Sequence, residues 1–214
     1  MATKNVALQH HFEDLEQQFE ASSLGMWTFL VQEILFFGGL FAGYLVYRTM
    51  YPEAFHIGSA SLDVLLGGIN TAVLICSSLT MALAVYWAKQ GDKRRIILFM
   101  VLTLALGCTF LGIKVVEYAH KVHAGLVPGT MFAYDGPMAG QVRIFFSFYF
   151  SMTGMHALHM VVGAGLLIWL IIQTAKGRYT AEYNTPVEMF GLYWHFVDIV
   201  WIYLFPLLYL VGRS

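Results

Sequence analysis

Charge is what this 214-residue chain has least of: Asp, Glu, Lys and Arg make up 12% of it, and the formal net charge is −1. With no basic cluster beyond one short loop, nucleic acid is excluded as a partner. Cysteine is almost absent, and Cys76 and Cys108 sit in the middle of apolar runs. They define no disulfide framework; there is also no Cys-x-x-Cys-His for covalent haem, no paired-cysteine copper site and no glycine-rich phosphate loop. Residues 1–23 have no apolar core and no small-residue cleavage site, and they carry Glu13, Asp14, Glu16 and Glu20. That composition excludes a signal peptide, so the first apolar helix is expected to stay in the protein. No internal repeat is visible, which argues against a transporter built from inverted halves.

Hydrophobic residues, in contrast, are 58% of the chain. This predicts an all-α, polytopic integral membrane protein. Charge-poor runs at about 24–47, 65–88, 96–116, 144–172 and 189–211 each approach the roughly 20 residues that cross a bilayer, giving five spans in one domain over 24–214. Ahead of them, residues 1–23 place Leu8, Phe12, Leu15 and Phe19 on one stripe with acids opposite. This predicts a short amphipathic helix that docks on a partner protein, because its acidic face repels anionic lipid. Seven Lys and Arg residues (Lys4, Lys89, Lys93, Arg94, Arg95, Lys176 and Arg178) fall on one side of the spans, and four (Arg48, Lys121, Arg143 and Arg213) on the other. The N-terminus is therefore expected in the cytoplasm and the C-terminus outside.

Titratable residues inside the spans single themselves out. The last run, Met189 to Gly212, contains His195 and Asp198, three apart on one face, with Glu188 at its entrance. Such a polar stripe either glues helices together or forms a proton or ligand path. Pro206 predicts a kink. Glu33 lies about nine residues, or roughly 14 Å, into the first span, near the bilayer midplane. It is either a proton-relay carboxyl or a neutral acid hydrogen-bonded across helices. Lys114 either snorkels outward or pairs with Glu117 at the membrane edge. His156 and His159 are spaced to share a metal or, in the simpler reading, to make hydrogen bonds. Tyr51 to Leu62 is expected to be an external loop, and His120 to Arg143 a loop long enough to serve as a docking surface.

Taken in order, four motifs resemble those of the subunit III family of haem–copper respiratory oxidases. Gln32-Glu33-Ile34-Leu35-Phe36-Phe37 is similar to its first-helix acidic motif, and Tyr193-Trp194-His195-Phe196-Val197-Asp198-Ile199-Val200-Trp201 to its last-helix signature. Glu117-Tyr118 and Gly154-Met155-His156-Ala157-Leu158-His159 resemble two motifs between them. The resemblance implies a non-catalytic subunit of a proton-pumping cytochrome c oxidase. In that role it would pack against subunit I, alongside subunit II and a small subunit IV, with cytochrome c as donor to the complex. It further implies no cofactor on this chain, haem and copper in the partner subunits, and a V-shaped cleft holding phospholipid near Glu33.

By the same resemblance, Glu33 would tune proton uptake or contact lipid, while Glu117, Tyr118, His156, His159, Glu188, His195 and Asp198 would form a structural polar network. Longer members have two more N-terminal helices, and five-helix forms point to a bacterial inner membrane. Glu33, where quinol-oxidase members often carry Asp, favours cytochrome c. Lys114 departs from the Gln of many members. The alternatives are a subunit of a quinol oxidase or nitric oxide reductase and, in another class, an independent proton-coupled transporter.

Overall fold

A computed structural model describes residues 8–9, 11–130 and 132–211. The element order is α1 (Leu15–Met50), α2 (Pro52–Ala60), α3 (Val64–Gln90), α4 (Lys93–His123), α5 (Ala139–Ala175) and α6 (Thr185–Phe205), followed by a π-helical turn, Pro206–Leu210. No strand occurs among the described residues. Five helices are long and apolar enough to span a membrane, the fifth comprising α6 and the π turn.

Local chemistry sets the helix starts and several of the ends. The Asp14 carboxylate accepts from Gln17 N–H, Asp63 from Leu65 and Leu66, and Asp92 from Arg95, so three of the long helices begin at an aspartate cap. Gly91 closes α3 in the left-handed region, φ 72°, which a side chain resists. Between Asp14 and Met50 there is no proline, and α1 runs unbroken for 36 residues. The separate amphipathic helix expected within 1–23 is therefore not a unit of its own: from Leu15 onward it is the opening of α1, while Leu8 and Phe12 precede the helix. The expected loop from Tyr51 to Leu62 is largely helix, because Pro52 occupies the first turn, where its missing N–H is harmless. As α4 and α5 both extend beyond their apolar runs, the long loop shrinks to 124–138. At Pro206 the backbone widens into the π turn, consistent with its missing donor.

α6 is the centre. In its most apolar window 56% is buried, against 22–28% for the other four spans. It packs on α1, α3 and α5, and α4 is held between α3 and α5. Small groups let the indoles of α6 in: Cβ atoms added at Gly107 of α4 and Gly163 of α5 would lie 3.0 Å from the Trp194 ring. The hydroxyls of α3 receive the indole N–H groups, Trp194 donating to Ser77 at 2.9 Å and Trp201 to Thr71 at 3.1 Å. Each bond is stronger inside the bundle than against water, and together they set the rotation of α6 against α3. Cys76 and Cys108 face outward.

The two ends of the bundle are chemically distinct. At one, Lys89 pairs with Glu188 at 2.8 Å and Lys93 donates to the Ala175 carbonyl at 2.6 Å. At the other, Arg48 donates to the Val211 carbonyl and Lys121 to the Ser61 carbonyl. These are the two groups of cations that the loop pattern separated; Lys4 and Arg213 lie outside the described residues.

Candidate functional site

Glu33 faces inward from α1 and is 9% exposed. Its Oε2 lies 3.2 Å from Nε2 of His159, one of the two histidines of α5. His159 is itself held twice: its Nδ1 is 2.9 Å from the Met155 carbonyl, and its own carbonyl accepts from the Tyr193 hydroxyl of α6 at 2.8 Å. Three helices thus meet at His159. The ring of His159 also packs against Phe37, at 5.6 Å between centroids.

Beside this pair opens a cavity of about 470 Å³ between α1, α5 and α6. Phe29, Leu158, Val162, Trp169 and Phe190 give it an apolar wall, broken by His159 and the Tyr193 ring. Along α5 it runs from Leu158 to Leu170, roughly 18 Å of helix and over half of a hydrocarbon core. A space of that length and polarity accommodates an acyl chain, with His159 near one end of it.

A second cluster is closed. Lys114 of α4 donates to Glu117 Oε2 at 2.9 Å and to the Tyr209 hydroxyl at 3.1 Å. The other oxygen of Glu117 accepts from Tyr149 at 2.8 Å and from Tyr209. Lys114 and Glu117 are 4% and 3% exposed, so of the two readings of Lys114 the structure shows the ion pair with Glu117 and not an ammonium turned outward. The enclosure has a physical cause: the ammonium sits 4.9–5.7 Å from the centroids of Tyr118, Tyr149, Trp201 and Tyr209, whose cation–π attraction offsets part of its lost hydration. Tyr118 bonds instead to Thr153 of α5.

The stripe expected along α6 is not one network. Glu188 turns to Lys89, and His195 Nδ1 lies 2.7 Å from the Ser78 hydroxyl of α3. Asp198, 2% exposed, faces the same Ser78 region, but neither of its oxygens makes a hydrogen bond. Glu188 and His195 lie on one face of the helix, yet they are bonded to different residues of α3, Lys89 and Ser78. His156 donates from Nε2 to the Val197 carbonyl at 3.1 Å, joining α5 to α6. The two histidines of α5 thus serve different helices, and among the described residues no three His, Cys, Asp or Glu side chains converge.

Sequence reasoning marked Glu33 and His159 separately and missed that they meet. A signal existed: His159 stands near the middle of the charge-free stretch between Arg143 and Lys176, the same depth at which Glu33 lies in the first span. Tyr149, Tyr209 and Ser78 carried no such mark, since a buried tyrosine or serine in an apolar helix is common.

Comparison with known proteins gives a consistent answer. The family model described as cytochrome c oxidase subunit III matches residues 4–213. The chain is 36% identical over 191 residues to "Cytochrome c oxidase subunit 3" of Thermostichus vulcanus, covering 89% of this chain and 87% of that one. It is 32% identical over 194 residues to "Probable quinol oxidase subunit 3" of Staphylococcus haemolyticus, covering 90% of each. It is also 32% identical over 189 residues to "Quinol oxidase subunit 3" of Bacillus spizizenii, covering 88% of this chain and 86% of the relative.

Proposed function

Because this chain belongs to the cytochrome c oxidase subunit III family of haem–copper oxidase complexes, we propose that it is the non-catalytic subunit III of a proton-pumping cytochrome c oxidase. In this reading the complex passes electrons from cytochrome c to oxygen in a bacterial cytoplasmic membrane. The chain packs on subunit I, with subunit II and a small subunit IV nearby, and contributes proton-uptake support, lipid binding and durability. Haem and copper reside in the partner subunits. The N-terminus faces the cytoplasm, where the larger set of Lys and Arg lies.

The observation that carries the reading is Glu33 paired with His159, whose ring lines an apolar cavity. A carboxyl at mid-membrane is costly to keep unless it is used or neutralised by a partner. The cavity supports phospholipid as the occupant, with an acyl chain lying along α5. Cytochrome c is favoured over quinol by the glutamate at position 33; relatives carry names of both kinds. The quinol-oxidase reading rests on those names alone.

The test is purification through a C-terminal tag in mild detergent, followed by an optical spectrum, subunit composition and donor assay. Haem a absorbance with large partner subunits, and oxygen consumption driven by reduced cytochrome c, are expected. Turnover with quinol alone moves the chain to the quinol oxidases. A colourless, solitary protein that moves protons in liposomes replaces the reading with a transporter. In the intact complex, Glu33→Ala is expected to assemble normally and to lose activity faster during sustained turnover; unchanged durability removes Glu33 from the account.

A further inference from the structure

One side of α6 is left uncovered. α1, α3 and α5 pack on it, but among the described residues α1 and α3 do not pack closely on each other, so a groove runs between them with α6 as its floor. The floor carries His195, Ile199 and Tyr203 at helical spacing on one stripe, and Ile199 is 50% and Tyr203 64% exposed. On α3, Ile75 is 53% exposed one turn from Ser78. His195 is only part-buried in this apolar setting. It lies about 15 Å along α6 from Thr185, near the middle of a hydrocarbon core roughly 30 Å thick.

Hydrocarbon does not meet the hydrogen-bonding demand of this spot. The Ser78 hydroxyl occupies His195 Nδ1 at 2.7 Å, and Nε2 has no hydrogen-bond partner among the described residues. If Ser78 donates to Nδ1, Nε2 carries a hydrogen; if Nδ1 donates to Ser78, Nε2 presents a lone pair. Either tautomer leaves one polar atom at mid-membrane depth with nothing to bond. Behind it Asp198, 2% exposed and beside the same Ser78, has both oxygens without a hydrogen bond. The groove is thus polar at one level and apolar above and below it.

We propose that this groove seats a transmembrane helix of another subunit, which brings a hydroxyl or amide side chain to Nε2 of His195. Depth selects the occupant. The polar atoms of a lipid stay near the interface, whereas a helix satisfies its own backbone and can present a polar side chain at any depth. A hydroxyl or amide both donates and accepts, so it pairs with either tautomer and adds no charge. The inference rests on the proposed function in one respect, that the chain works inside a multi-subunit complex.

The test places the photo-crosslinker p-benzoylphenylalanine at position 199 in the groove floor. A control chain carries it at position 115, because Val115 is 68% exposed on α4, away from the groove. Both are irradiated in native membranes, and adducts are identified by peptide mass spectrometry after the complex is purified. Position 199 is expected to join a transmembrane peptide of another subunit that contains Ser, Thr, Asn or Gln, and position 115 is expected to join lipid. As a second measurement, His195→Leu is expected to lower the amount of chain retained with the haem-bearing subunits about 3- to 30-fold in a detergent wash, and His195→Gln to restore it. An adduct at position 199 with lipid only, with a second copy of this chain or with nothing overturns the proposal. So does retention that is unchanged in His195→Leu or equally lost in both variants. The optical spectrum and donor assay judge the oxidase reading separately: haem a and cytochrome c turnover with a groove that labels only lipid keeps that reading and ends this one, and a quinol-driven complex labelled from position 199 does the reverse.

Discussion

Two buried acids in this protein have opposite surroundings. Glu117 is enclosed: both its oxygens are taken by Lys114, Tyr149 and Tyr209, and four aromatic rings cover its lysine. Glu33 has one partner, His159, and a cavity at its side. The first arrangement leaves no lone pair or proton to exchange, so it can only hold helices together. The second leaves the acid with a single side-chain contact, to a histidine beside a space that another molecule can enter. Burial and pairing with a base are common to both. What separates a structural from a functional charge here is how completely its hydrogen-bonding capacity is used.

That contrast can be broken or sharpened by substitution. Glu117→Ala strands a buried ammonium and is expected to cost about 3–5 kcal/mol, read as a large drop in the melting temperature of the complex or failure to assemble. Replacing both partners, Lys114→Met with Glu117→Met, is expected to cost less than Glu117→Ala alone, since no unpaired charge remains; an additive loss would show that the pair is not a closed unit. Glu33→Gln keeps the side-chain shape and a polar group opposite His159 and is expected to change stability by about 1 kcal/mol or less in the same melting assay. A loss as large as that of Glu117→Ala would make Glu33 structural and end the distinction. Lys89→Ala removes an exposed ion pair with Glu188, and a change within about 0.5 kcal/mol is expected, screened further by salt.

Much of the fold was legible because each span must satisfy its own backbone in a medium that offers no hydrogen bonds, so apolar length alone marks a helix. The helix ends were less legible. α1, α4 and α5 extend past their apolar runs because polar residues continue a helix in water as readily as apolar ones do in lipid, and only caps stop it. Of the candidate site, Glu33, Glu117, His156 and His159 were visible as polar residues where lipid should be. Their partners were not, and the expected Glu188–His195–Asp198 stripe divided between two neighbours on α3.

By itself, the sequence determined the five spans, the clustering of cations at two ends, the resemblance to subunit III and the depth of each buried charge. Those follow from local chemistry: hydropathy, charge and spacing along one chain. Only the tertiary structure decided that Glu33 meets His159, that Lys114 is enclosed by aromatic rings, and that a cavity opens between α1, α5 and α6. Each of those depends on the rotation and crossing of helices more than thirty residues apart in the chain, set by packing such as Trp194 between Gly107 and Gly163, which no local pattern encodes.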